Sequence, residues 1–242
     1  MAIRQNDLRP GDCVSVDQYV CPIRGRLPHT RGKEKDLKRF SGGLMQVDHA
    51  SGYIQVNSQV SLYGGEILCS KNKFKNLLSG FGVKIKKHHC DNGIFAADPW
   101  TSDCEAKQQE NEFSAVEAHH QNGVAERAIQ TIAYWARAMM LHVAIHWPDK
   151  ADIKLWPFAM QHAAHIWNHL PDETSGIATI ELLSGAKLPS FDCLRQLHTW
   201  GCPVFVLDPA LQDGKKLPKW TPRSRLGIYL EVAPCVLSGP HT

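Results

Sequence analysis

The chain reads His119-His120-Gln121-Asn122-Gly123-Val124-Ala125-Glu126-Arg127-Ala128 where a polar loop runs into a long segment of helical apolar spacing. That spacing continues to His146, just before Pro148, and predicts a helix that begins near Gln121 or Asn122. We expect Asn122 to cap this helix with its side chain, which places Glu126 in the first turn. Apolar residues cover two faces of the predicted helix, which indicates packing between two layers.

A single glutamate in a first helical turn is ordinarily a surface residue favoured by the helix dipole. Two upstream aspartates give Glu126 a second interpretation. Asp17 interrupts the strand-like run from Cys13 to Val20, and Asp91 follows a strand-like, lysine-rich run at an Asn-Gly turn. Two acids at strand ends and a third on a later helix can converge on a hard cation such as Mg2+, which prefers carboxylate oxygens.

These motifs resemble the integrase core of copia-type LTR retrotransposons. The resemblance starts at Asp17, the Asp91-Asn92-Gly93 turn and the string from His120 to Arg127. It continues through shorter motifs over nearly the whole chain: Leu155-Trp156-Pro157, Ile166-Trp167-Asn168, Glu181-Leu182-Leu183-Ser184-Gly185, Trp200-Gly201-Cys202-Pro203, Lys216-Leu217-Pro218 and Arg225-Leu226-Gly227-Ile228-Tyr229-Leu230. The zinc-binding segment that usually precedes the core has no counterpart in residues 1–10. The resemblance therefore implies a fragment of a Gag-Pol polyprotein.

The resemblance implies an α/β, ribonuclease H-like fold, with a mixed five-stranded sheet flanked by helices and a small C-terminal β extension. We expect a tail at 1–9, the catalytic core at 10–170, the extension at 171–233 and a disordered tail at 234–242. The residue pattern itself predicts a hairpin from strands at 43–48 and 53–57, and then a helix and a strand at 83–89. A parallel crossover through this helix would bring Asp91 beside Asp17. It also predicts helices at 64–80, 101–109 and 152–169. Two further strands are predicted at 200–207 and 225–231.

The implied activity is integration: metal-dependent trimming of DNA 3' ends, then attack of those ends on target DNA. Asp17, Asp91 and Glu126 are the expected catalytic and metal-binding residues. They would hold two Mg2+ or Mn2+ ions about 4 Å apart, which activate the attacking oxygen and stabilise the leaving oxygen. The resemblance further implies DNA partners, a homo-oligomer, and a location in the nucleus and in a cytoplasmic particle.

Basic residues are concentrated in two runs. Residues 70–90 contain six lysines and no acid, and residues 215–225 contain five basic residues and no acid, whereas residues 98–117 contain six acids. Such runs suit a phosphate backbone, although solvated faces would look the same. We expect DNA contacts from the loop before the helix and from both basic runs: His120, Gln121, Asn122, Lys84, Lys86, Lys87, Lys215, Lys216, Lys219, Arg223 and Arg225.

Composition excludes several other classes of protein. The sequence has no apolar run long enough to cross a membrane and no apolar signal core at its N-terminus, so a membrane or secreted protein is not indicated. Its eight cysteines include no Cys-x-x-Cys pair, which argues against a disulfide scaffold and against a cysteine-rich zinc site. The histidines of the two long helices are interpreted as incidental, and Asp48 is interpreted as a turn former.

Two alternatives to an integrase stay open. The chain could be a decayed or co-opted integrase that only binds nucleic acid, or a ribonuclease H-like nuclease that cleaves without joining. The three acids disfavour the first. The order of the acids disfavours ribonuclease H itself, in which a glutamate comes second, although fold alone cannot decide between activities.

Overall fold

The structure is a computed structural model that describes residues 8–28, 35, 38–114, 122–188 and 192–230. A five-stranded sheet forms its centre, in the order β3-β2-β1-β4-β5. Its strands are β1 (Val14–Gly25), β2 (Phe40–Asp48), β3 (Ile54–Gln59), β4 (Lys87–Cys90) and β5 (Glu110–Phe113). The longer helices are α1 (Gly65–Gly80), α2 (Asp98–Ala106), α3 (Gly123–His146) and α4 (Trp156–His169). The sheet and its flanking helices are therefore the α/β arrangement expected from the sequence.

The sheet is mixed because its connections differ in length. Strands β1, β2 and β3 form an antiparallel meander, whereas α1 carries the chain across to β4, which pairs parallel to β1. Strand β5 then pairs parallel to β4. The predicted hairpin and the predicted parallel crossover are both confirmed.

The two faces of the sheet cover separate apolar cores. Val14 and Val16 of β1 point to the face covered by α1 and α2, where Phe74 and Leu78 are fully buried. Tyr19 is an odd number of residues away from both valines, so its side chain points to the other face, which α3 and α4 cover. The sheet thus lies between two helical layers. Alternation along β1 decides which of the two layers each of its core side chains packs against.

Several predicted boundaries were wrong. Asp17 lies inside β1 and not at its end, because β1 continues past the predicted run, which ends at Val20, as far as Gly25. Helix α2 spans Asp98–Ala106, so it begins and ends three residues earlier than the predicted helix at 101–109. Strand β5 was not predicted, since its sequence Glu-Asn-Glu-Phe is polar and lies at the sheet edge.

Helix α3 has the predicted length but is not covered on both sides. Its buried positions include Ala125, Ile132 and Val143, which face the sheet and α4. On the opposite side Tyr134 and Ile145 are 66% and 75% exposed. The prediction of a helix enclosed between layers was therefore wrong for this outer face.

Asp48 is a turn former, as predicted. Its fully buried carboxylate accepts hydrogen bonds from the backbone N–H of Gly11 at 2.7 Å and of Ser51 at 2.9 Å, and from the Ser51 hydroxyl at 2.7 Å. These bonds use its acceptor capacity within the β2–β3 connection and the approach to β1.

Residues 171–188 and 192–230 contain the short helices α5 (Thr179–Ser184), α6 (Asp192–Arg195) and α7 (Pro209–Gln212), and the antiparallel hairpin of β6 (Pro203–Leu207) and β7 (Ser224–Ile228). The two predicted strands are thus present, each a few residues shorter than predicted. The base of the hairpin packs on the core at Gly201, where an added Cβ would lie 2.1 Å from Val143 Cγ2. No described helix is long and apolar enough to cross a membrane.

Three side chains of α4 tie it to the meander across long stretches of sequence. The indole N–H of Trp156 donates to the carbonyl of Ile23 at 2.8 Å, and that of Trp167 donates to the carbonyl of Gly52 at 3.3 Å. The Asn168 amide bonds both backbone groups of Ile54: Nδ2 donates to its carbonyl at 2.7 Å, and Oδ1 accepts from its N–H at 2.9 Å. Asn168 therefore acts as an additional pairing partner for β3.

We predict that Asn168→Ala lowers the free energy of unfolding by about 2–3 kcal/mol, because it leaves both polar groups of Ile54 without their buried partner. Urea unfolding of the purified variant measures the loss. The exposed Gln130→Ala on α3 is the control and should change the stability by less than about 0.5 kcal/mol. Equal stability of the two variants would contradict the bridging role of Asn168.

Candidate active site

The parallel pairing of β1 and β4 sets two of the three acids side by side. Its register matches Val14 with His88, Ser15 with His89 and Val16 with Cys90. One step further along both chains are Asp17 and Asp91. Because side chains alternate between faces, Asp17 is directed to the face that α3 covers. Asp91 follows the end of β4 and lies close enough for its charge to act on Asp17.

Asn122 fixes the start of α3 over this pair. Its Nδ2 donates to the carbonyl of Val16 at 3.1 Å, and its side chain is only 3% exposed. The predicted side-chain cap was wrong: Asn122 occupies the N-cap position but makes no capping hydrogen bond, because its amide is directed to β1. The bond joins α3 to the residue before Asp17, and Glu126 lies one turn further along the helix.

The three acids interact through their charges. Burial, which is the largest cause, and the nearby negative charges of Glu126 and Asp91 together raise the pKa of Asp17 from 3.8 to about 6. A hydrogen bond from the Gln18 backbone N–H at 2.7 Å opposes this rise in pKa. Ionisation of Asp17 is therefore unfavourable in the folded chain, and part of its cost comes from the charges of the other two acids.

The donor set fits a hard divalent cation. All three side chains offer carboxylate oxygens, and the repulsion that raises the Asp17 pKa is the kind that a bound cation relieves. The three acids do not form a complete metal site in this arrangement. Among residues 8–28, 35, 38–114, 122–188 and 192–230, no three His, Cys, Asp or Glu side chains lie close enough to share one ion. The interpretation of the histidines of α3 and α4 as incidental stays a prediction.

The first basic run lies at the other end of the sheet. Lys84, Lys86 and Lys87 precede or begin β4, so Lys87 is roughly 13 Å from Asp91 along the strand. Lys86 pairs with Asp12 at 2.7 Å, and Lys87 pairs with Glu112 at 2.5 Å. The structure does not bring these lysines together with the acids, and their contact with DNA stays a prediction.

The second basic run forms the connection between β6 and β7. All five of its predicted DNA-contacting residues are exposed: Lys215, Lys216, Lys219, Arg223 and Arg225. Arg225 pairs with Asp208 at 2.8 Å, and the Lys219 ammonium lies 5.4 Å from the ring centre of Trp220, which is 90% exposed. This run is open to a partner, but no contact here identifies the partner.

The remaining predicted DNA contacts belong to the loop before α3. His120 and Gln121 lie outside the described residues. Asn122 is described, and its buried amide is occupied by Val16. A DNA contact from Asn122 stays a prediction, whereas its structural bond to β1 is observed.

An apolar cleft lies apart from the acids, none of which contributes to its lining. It has a volume of about 550 Å3, and its lining includes Tyr19, Ile129, Met140 and Trp156. The lining is almost entirely apolar, which does not suit a phosphate group. The cleft therefore does not mark the phosphate-binding site.

Comparison with known proteins defines the fold. The HTLV-2 integrase catalytic core domain in complex with magnesium matches in its dimeric form with a TM-score of 0.51 and 17% identity, over 73% of this chain and 98% of that chain. Its trimeric form matches equally well, over 72% and 97%. The chain has the fold of an integrase catalytic core.

A third match extends further along the chain. The simian T-cell lymphotropic virus intasome in complex with the PP2A regulatory subunit B56 gamma matches with a TM-score of 0.55 and 16% identity, over 94% of this chain and 70% of that chain. No family model matches the sequence, and no curated protein matches it. At these identities the comparisons establish the ribonuclease H-like fold and leave the activity to be tested.

Sequence reasoning missed the structural role of Asn122 and the burial of Lys71. The signal for Lys71 was available: it shares the stripe of Ile67, Phe74 and Leu78 on α1, at helical spacing. For Asn122 no local signal distinguishes a helix cap from a bond to a strand that lies 106 residues earlier.

We predict that Asp17→Asn stabilises the chain at neutral pH. The folded pKa of about 6 exceeds the ordinary value of 3.8, so ionisation of Asp17 destabilises the folded state as pH rises from about 4 through 6. Asparagine does not ionise, and the gain at pH 8 without divalent ions should be about 1–3 kcal/mol. Urea unfolding from pH 8 to pH 4 should show the gain shrinking. A gain independent of pH, or one shared by the exposed Asp149→Asn, would refute this origin.

We predict that Asn122→Ala changes the titration of Asp17 as well as the stability. Losing the bond to Val16 should cost about 1–2 kcal/mol and should let Glu126 move away, which lowers the pKa of Asp17. NMR titration of the aspartate carboxyl carbons measures that pKa, with the exposed Asn76→Ala as the control. If Asn122→Ala is destabilised but Asp17 titrates as in the wild type, Asn122 does not position Glu126.

Proposed function

We propose that this chain is an integrase core of the copia type, which exchanges phosphodiester bonds at DNA ends in the presence of a divalent cation. The observation that supports the proposal best is the gathering of Asp17, Asp91 and Glu126 on one face of the sheet, where the last two raise the pKa of the first. The integrase-core fold supports it independently.

The three acids have distinct structural origins and a shared role in this proposal. Asp17 and Asp91 come from adjacent parallel strands, and Glu126 comes from the helix that Asn122 ties to β1. Above about pH 6 the Asp17 carboxyl is ionised. Asp17, Asp91 and Glu126 would then be the side chains that hold two Mg2+ or Mn2+ ions. When bound, such ions activate the attacking oxygen and stabilise the leaving oxygen of an in-line displacement.

The DNA partner would contact the protein in two places, beside the three acids and at the basic residues of the second run. Exposed residues 215–225 would contact the phosphate backbone without reading sequence, because lysine and arginine contacts to phosphates position a duplex but do not specify it. The neighbouring structures include dimeric, trimeric and intasome forms, and we propose a homo-oligomer for this chain too. Its location would be the nucleus and a cytoplasmic particle.

We predict that Glu126→Gln abolishes the joining of a short labelled duplex to target DNA in Mg2+ or Mn2+. The rate of joining should fall by at least about 100-fold. Mutation of a residue that only hydrogen-bonds a metal ligand already lowers metal affinity or activity by about 10–100-fold, and Glu126 would be a ligand itself. Gel analysis of labelled products measures joining, and it also separates longer joined products from shortened ones. The exposed Glu173→Gln is the matched control and should retain wild-type activity.

The products decide between the proposal and its alternatives. Shortened products without joined ones would indicate a nuclease. DNA binding that is equal in the wild type and in Glu126→Gln, with no product from either, would indicate a binding module. In either case the integrase proposal would be wrong.

A further inference from the structure

Lys71 of α1 is buried on the side of the sheet opposite the acids. Its side chain is 1% exposed, and its ammonium contacts three side chains of α2. Nζ lies 2.8 Å from Asp103 Oδ2, 2.7 Å from Cys104 Sγ and 4.5 Å from the ring centre of Trp100. Cys104 is fully buried. A lysine amine and a cysteine thiol are thus enclosed together, away from solvent.

The separation of Lys71 Nζ from Cys104 Sγ is short for a hydrogen bond. Hydrogen bonds from N–H to oxygen are typically about 2.9–3.0 Å long, and sulfur is the larger atom, so a bond from N–H to sulfur must be longer. A separation of 2.7 Å is instead the kind that arises when one oxygen atom is bonded to both. We propose that Lys71 and Cys104 form an oxidative cross-link in which a single oxygen atom joins Nζ to Sγ.

The reaction balances with dioxygen as the oxidant. The Lys71 ammonium, the Cys104 thiol and one dioxygen molecule give the Nζ–O–Sγ link, one water molecule and one proton. The oxygen–oxygen bond, the S–H bond and two N–H bonds break. Nitrogen and sulfur each give up two electrons, and these four electrons reduce one oxygen atom to the bridge and the other to water. Asp103, at 2.8 Å from Nζ, is placed to accept the proton.

The groups around Lys71 and Cys104 favour this link over other oxidation products of the cysteine. Burial keeps external thiols away from Cys104, and Asp103 is itself held by Lys107 at 2.6 Å, which fixes it beside Nζ. The competing reaction is a disulfide with Cys90 of β4, which is buried in the same apolar core. A disulfide or a direct nitrogen–sulfur bond would remove two hydrogens and add no oxygen.

The cross-link would join α1 to α2. Because α2 follows the turn that contains Asp91, the link would hold this side of the sheet in one arrangement. Closing a loop of this length should raise the Tm by roughly 5–10 °C. The purified full chain is incubated in oxygen-saturated buffer, and its intact mass is then measured with and without dithiothreitol.

We expect a mass gain of one oxygen less two hydrogens, which accompanies the rise in Tm and which dithiothreitol reverses once the chain is denatured in urea. The gain should be absent in Cys104→Ser and in Lys71→Arg but present in Cys90→Ser. Because substitutions at buried positions can impair folding, digestion of the wild-type chain provides the second measurement: it should yield one linked peptide pair containing Lys71 and Cys104. No linked pair after oxygen exposure, or a linked pair that lacks the extra oxygen, would overturn the proposal.

Discussion

The parallel pairing of β1 with β4 is the interaction on which the rest of the structure depends. Strand β1 lies at the centre of the sheet, so β2 fixes one of its edges and β4 fixes the other. The pairing with β4 ends at Cys90, whereas β1 continues, and this difference leaves Asp17 inside a strand while Asp91 begins a turn. The two acids are therefore adjacent because of backbone register, before any side chain contributes.

Helix α3 supplies the third acid, and its placement depends on a single buried amide. The bond from Asn122 to Val16 is made to the backbone of β1, so it defines where the helix starts without restricting which side chains surround it. The arrangement carries a cost in stability. Burial and like charges make ionisation of Asp17 unfavourable, which is typical of functional sites where side chains are arranged for chemistry and not for stability.

Much of the fold could be predicted because the decisive patterns are local. Helical spacing gave the length of α3, and alternation with turn residues gave the β2–β3 hairpin. The failures have physical causes. Strand β5 is a polar edge strand whose pairing with β4 provides its stability, so it carries no apolar signal. The bond of Asn122 and the partners of Lys71 join residues 106 and 33 positions apart, and no local pattern encodes them. The three acids could be named from a motif, but their electrostatic interaction required the register of two strands.

The ties between α4 and the meander also have a consequence for synthesis on the ribosome. The first three strands are complete by Gln59, yet Ile54 receives its partner only when Asn168 has been made, 114 residues later. At about 5–20 residues per second this delay is roughly 6–23 seconds. During that interval the outer edge of β3 is an open strand edge near the exit tunnel. The nascent chain is therefore exposed to pairing with other nascent chains, and close spacing of ribosomes on the message would increase that exposure.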